Sequence, residues 1–104
     1  MLVTFRTSKL RKQYEQSKEA EKAYGREVAR RYIERINIIK QAHNIDELCA
    51  LPRPLPGLRC HALKGDRKGQ WAINLTGFHR LIFTLEGDQL QVARIEEVSK
   101  HYDD

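Results

Sequence analysis

Long apolar runs are missing from this 104-residue chain. Its longest are a few residues, far short of the ~20 that a helix needs to cross a bilayer. The opening MLVTFRTSKLRK has neither an apolar core of signal-peptide length nor a small-residue cleavage site, so a cytoplasmic protein is expected. Cysteine is scarce. Cys49 and Cys60 are too few for a disulfide framework, and in a reducing compartment they are expected to be buried thiols acting as small hydrophobes. There is no phosphate loop, no glycine-rich dinucleotide fingerprint and no serine in a nucleophile context. Metal-ligand spacing is absent too: Cys60 and His61 are adjacent and alternate across a strand, while Cys49 and His79 lack paired partners. No repeat or low-complexity segment occurs. The expectation is one domain over residues 1–104, needing no metal and no cofactor.

What the chain does have is positive charge, unevenly placed. The net charge is +5, with 40% hydrophobic and 32% charged residues, a globular composition. Residues 1–44 sum to +6, residues 59–80 to +4, and residues 81–104 to −4. A basic body with an acidic end suits a nucleic-acid binder. It equally suits an ordinary basic protein with solvated lysines and arginines.

Leu2 to Phe5 has strand character, and Thr7 or Ser8 can cap a following helix. Ser17 can cap a second short helix through Tyr24, and Gly25 marks a break. From Gly25 to Ala42, Val28, Tyr32, Ile36 and Ile39 recur at three- and four-residue spacing, predicting the main helix. Its other face, with Arg26, Arg30, Arg31, Arg35 and Lys40, reads first as solvated surface, with a nucleic-acid site or a face covered by a protein partner as the alternatives. Asn44 to Leu51 predicts a helical turn capped by Asn44 or Asp46, with Leu48 and Leu51 inward. The prolines of 52–57 exclude a helix there. Three strands follow, Arg59–Leu63, Gln70–Thr76 and His79–Leu85, then a last one over about Gln89–Val98. In that strand Leu90 and Val92 share a parity that Ile95 breaks, which predicts a bulge or a bend there. The fold class is α+β: an N-terminal strand and two to three helices packed on one face of a twisted, mostly antiparallel sheet.

Strand alternation could assemble one chemical cluster. His61 leads into Lys64 at a turn, Arg80 points away from the Leu81–Phe83 stripe, and His101 and Tyr102 follow the last strand. Around them stand Arg59, Arg67, Lys68 and His79, candidates for RNA or phosphate binding. Imidazoles and cations suit RNA cleavage, in which a base takes the 2′-hydroxyl proton, cations neutralise the phosphorane, and an acid protonates the 5′ oxygen. Each residue also has a plainer reading as an edge-strand, turn or terminal side chain.

At these residues the sequence resembles a family. RCHALKGDRKGQWAINLTGFHRLIF, and above all His61-x-x-Lys64-Gly65 with Lys68-Gly69 before Trp71 and Arg80-Leu81-Ile82-Phe83, looks like the signature of HigB-type toxins. These plasmid-maintenance killer proteins form a branch of the RelE/ParE toxin superfamily, and the resemblance covers nearly the whole chain. It implies a microbial-RNase-like fold and a ribosome-dependent, metal-independent endoribonuclease that cuts mRNA. It implies a HigA-like helix-turn-helix antitoxin as partner, with operator DNA bound only through the complex. It also implies catalytic roles for His61, Lys64, Arg80 and Tyr102. Many relatives end Asp-Tyr-His, whereas this chain reads Lys100-His101-Tyr102-Asp103-Asp104, so His101 is the substitute candidate for proton transfer. Two rival readings share the scaffold: a ParE-like toxin that inhibits gyrase by binding it, and a catalytically idle member that only binds.

Overall fold

Thr7 starts the helical layer. Its hydroxyl accepts the Leu10 amide at 3.1 Å, capping α1 (Ser8–Glu15). Next come α2 (Ser17–Tyr24) and, after Gly25 with φ +85°, α3 (Arg26–Gln41). Asn44 caps the short α4 (Ile45–Cys49) through the Glu47 amide at 2.8 Å. The computed structural model describes residues 1–50 and 58–100, so the expected inward Leu51 and the 52–57 connector lie outside it. The strands are β1 (Leu2–Phe5), β2 (His61–Ala62), β3 (Gln70–Asn74), β4 (His79–Glu86) and β5 (Val92–Lys100).

They form one sheet in the order β1-β5-β4-β3-β2, with β1 parallel to β5 and the other pairs antiparallel. The helices cover one face. Tyr32, Ile36 and Ile39 of α3 meet Ile73, Leu81, Phe83, Ala93 and Ile95 of the sheet, all fully buried. Burial of this kind is worth about 1.5–3 kcal/mol per large side chain. The α+β architecture expected from the pattern is therefore the one observed, and the Thr7 cap, the Tyr24 helix end and the α3 stripe fall where the sequence placed them.

A bulge interrupts β5, but past the expected place, because the ladder runs regularly from Val92 to Ile95. The β4–β5 register shifts so that Phe83 faces Ile95 while Ile82 faces Glu97, leaving Glu96 as the extra residue. Strand ends differ from expectation for local reasons. Arg59 sits at φ +45°, a left-handed conformation that an extended strand cannot contain, so β2 shrinks to two residues. Leu75 and Thr76 donate to the His79 carbonyl and belong to the β3–β4 turn. Leu90, at φ +53°, holds the β4–β5 turn open until Val92.

Two expectations are overturned. Cys49 and Cys60 are not free thiols: they are bonded to each other across Cα atoms 4.9 Å apart. Nor is either deeply buried, Cys49 being exposed and Cys60 partly so. The chain brings the start of β2 back against the end of α4, a proximity between distant segments that a cysteine count does not register. Arg35 was read on the solvated face of α3, yet it is 3% exposed. Its Nε donates to the Asn74 carbonyl at 3.2 Å and its guanidinium meets Glu34 at 2.8 Å. Burial pulls its pKa down, and Glu34 opposes that shift.

Candidate nuclease face

Among the described residues, the second face of the sheet carries no helix. In-register residues point to the same side of a sheet, so the row His61, Ala72, Ile82, Glu97 runs across β2, β3, β4 and β5 on that face. Beside it runs a second row, Asn74, Arg80 and Ser99. Ala72 and Ile82 are fully buried although they take no part in the main core, so they form an apolar floor under the polar side chains.

His61 is exposed on the outermost strand, and its Nδ1 lies 2.7 Å from the Arg59 carbonyl. A carbonyl can only accept, so Nδ1 carries the proton and the neutral ring keeps its lone pair on Nε2. Arg80 is half-buried, with its Nε shielded from solvent. Strand spacing and rise put the Cα atoms of His61 and Arg80 roughly 12 Å apart, within reach of one phosphodiester for two long side chains. The closing side of the face is supplied by Arg67, from the 3-10 turn Gly65–Arg67. Its guanidinium donates to Gln70 Oε1 at 3.0 Å and lies 3.4 Å from Glu97 Oε2, so it reaches from the β2–β3 connection towards β5.

Of the sequence candidates, His61, Arg67 and Arg80 thus share one face. Lys64 and Lys68 flank the 3-10 turn with exposed side chains, and Arg59 is exposed beside β2. His79 is not brought in. It alternates with Arg80, so it faces the helical side, and Thr76 Oγ1 holds its Nδ1 at 3.0 Å. Burial, helped by Lys100, lowers its pKa. His101 and Tyr102 lie outside the described residues. Glu97 was missed: simple alternation puts it with Ile95 on the core side, and only the one-residue shift at Glu96 turns it over. Among the described residues no three His, Cys, Asp or Glu side chains are grouped to hold a metal ion, and no helix is long and apolar enough to cross a membrane.

The fold has known counterparts. A YoeB/ParE toxin from Agrobacterium tumefaciens superposes with a TM-score of 0.61 at 21% identity, over 98% of this chain and 100% of that one. YoeB in a YoeB–YefM complex from Staphylococcus aureus gives 0.60 at 16%, over 98% and 99%. A mutant of YafQ from E. coli gives 0.59 at 17%, over 94% and 90%. No protein-family model matches the chain and no curated protein is similar to it in sequence. The chain therefore has the small α+β fold shared by YoeB/ParE and YafQ toxins. These superpositions speak for the RelE/ParE-like fold in general and not for the HigB branch in particular.

Proposed function

We propose that this chain is the toxin of a type II toxin–antitoxin pair, a cytoplasmic endoribonuclease that cuts mRNA on the ribosome. The observation that carries the reading is the sheet face opposite the helices on which His61, with Nδ1 committed to a backbone carbonyl, stands across from Arg80. On that face His61 Nε2 takes the proton from the 2′-hydroxyl. The 2′ oxygen attacks the adjacent phosphorus, and the bond to the 5′ oxygen breaks. Arg80, with Lys64 from the neighbouring turn, neutralises the charge that grows on the phosphorane oxygens. The RNA supplies its own nucleophile, so the residues assigned here need no metal for this step. The proton for the leaving 5′ oxygen is assigned to His101 or Tyr102, which directly follow Lys100 in sequence. Arg59 and Lys68 hold flanking phosphates, and Arg67 joins them when it lets go of Glu97.

The fold likeness to YoeB, which was solved with YefM, supports an antitoxin partner; the motif resemblance adds a HigA-like helix-turn-helix type and the HigB branch. Induced expression tests the whole. The chain arrests growth and creates new mRNA 5′ ends inside reading frames, and Arg80→Ala and His61→Ala each abolish both while keeping the folded spectrum. Arrest without new ends would replace nuclease action with inhibition by binding, as of gyrase; no arrest and no new ends would mark an idle binding member.

A further inference from the structure

The candidate face ends at β2, a strand of two residues that among the described residues pairs with β3 alone. Towards β3 it is held by its two register pairs and by two backbone bonds at its ends, Asn74 to Leu58 and Leu63 to Gln70, both 2.8 Å. Towards the helices it is held by a covalent link, the bond from Cys60 to Cys49 at the end of α4, eleven positions away in sequence. Cys60 lies between Arg59, a left-handed non-glycine residue, and His61, and it is across this pair that the His61 ring donates to the Arg59 carbonyl. The disulfide thus clamps the backbone segment whose unusual conformation aims the imidazole. Cys49 is exposed, so the bond lies at the surface on that side.

We infer that the Cys49–Cys60 pair is a reversible redox site that takes a dithiol protein or small-molecule reductant, and that its oxidised form is the one holding His61 in working orientation. The reaction is thiol–disulfide exchange. A thiolate of the reductant attacks Cys49 Sγ, the bond between the cysteines breaks, and Cys60 leaves as a thiolate that takes up a proton. The reductant's second thiolate then attacks the mixed disulfide, releasing Cys49 as a thiol. Two electrons and two protons pass from the dithiol, which ends as its own disulfide. A compartment that keeps thiols reduced makes such a bond a transient one, formed when the compartment turns oxidising. Once it is open, β2 retains only its contacts to β3, Arg59 is free to relax to an ordinary conformation, and the His61 ring loses its fixed acceptor.

The part of this inference that concerns activity rests on the proposed nuclease function, and the test separates the two. The unaltered chain is prepared oxidised with diamide and reduced with dithiothreitol. Each form is read by maleimide labelling, by amide hydrogen exchange without RNA, and by cleavage of ribosome-bound mRNA. The inference expects two labelled cysteines only after reduction and exchange at least tenfold faster at the Leu63 and Asn74 amides. It expects cutting at least tenfold slower, with all three restored by reoxidation. Equal exchange in the two forms, or labelling of both cysteines after diamide, overturns the redox site whatever the cutting does. Faster exchange on reduction with no cutting in either form supports the redox site and counts against the nuclease reading.

Discussion

Replacing Arg35 tests how the helical layer holds the β3–β4 hairpin. Arg35 is the buried cation that ties the middle of α3 to Asn74, the residue opposite Arg80 in the β3–β4 ladder. Arg35→Ala removes a charge-assisted hydrogen bond, worth about 1.5–3 kcal/mol when buried. It also removes packed methylenes at about 0.8 kcal/mol each. Relief from holding a charge out of water offsets part of this loss. The ion pair with Glu34 adds little, because Glu34 is 43% exposed and such pairs contribute under ~1 kcal/mol. The net expectation is a loss of about 2–3 kcal/mol, which for a domain of this size lowers Tm by about 10–20 °C. Arg35→Met keeps the stem and should lose only ~1 kcal/mol. Thermal and urea unfolding followed by circular dichroism measure both. An alanine variant within 0.5 kcal/mol of the parent would refute the view that this arginine is a structural tie.

Other expectations follow from particular contacts. The buried Tyr32 hydroxyl donates to the Leu10 carbonyl at 2.7 Å, so Tyr32→Phe should cost about 1 kcal/mol in denaturant unfolding through loss of that bond. His79 has a pKa lowered by burial and by Lys100, so the folded state resists its protonation. Its contribution to stability is complete above the unfolded value of about 6.5 and is lost as pH falls through the folded value. A His79→Gln chain should lose that part of the acid dependence, read from urea midpoints between pH 8 and pH 5. On the open face, Glu97→Ala frees Arg67 for phosphate. RNA binding followed by fluorescence anisotropy should tighten, and its salt dependence should steepen by about one counterion. An unchanged salt slope would mean that Arg67 does not reach the RNA.

The fold was legible wherever periodicity carried it. The Val28–Tyr32–Ile36–Ile39 stripe and the Leu81–Phe83 alternation each have one buried side, and burial is what those patterns record. The bulge was not legible where it lies: the parity break between Val92 and Ile95 falls on a regular stretch of ladder, and the shift at Glu96 depends on the partner strand's register. That is why Glu97 escaped notice. Arg35 escaped for a related reason. A cation on the polar side of a helix looks solvated until a loop or strand end folds over it, and here Asn74 supplies the acceptor. His79 and Arg80 are neighbours in a strand, so both could not serve one face; alternation alone separates them once the sheet order is known. The cysteine pair depended wholly on tertiary proximity. For the site itself, the sequence offered His61, Lys64 and Arg80 only as candidates. Which side chains share a surface required the sheet.

The central claim is that this face cuts RNA by activating the substrate's own 2′-hydroxyl with His61 and stabilising the phosphorane with Arg80. The most direct test is the chemistry of the cut ends, using ribosome-bound mRNA carrying a single 2′-deoxy nucleotide at the cleavage position. The account predicts 2′,3′-cyclic phosphate or 3′-phosphate ends with 5′-hydroxyl partners on the all-ribose message, and no cutting at the deoxy position. Cutting that persists there, or 5′-phosphate ends with 3′-hydroxyl partners, would contradict it.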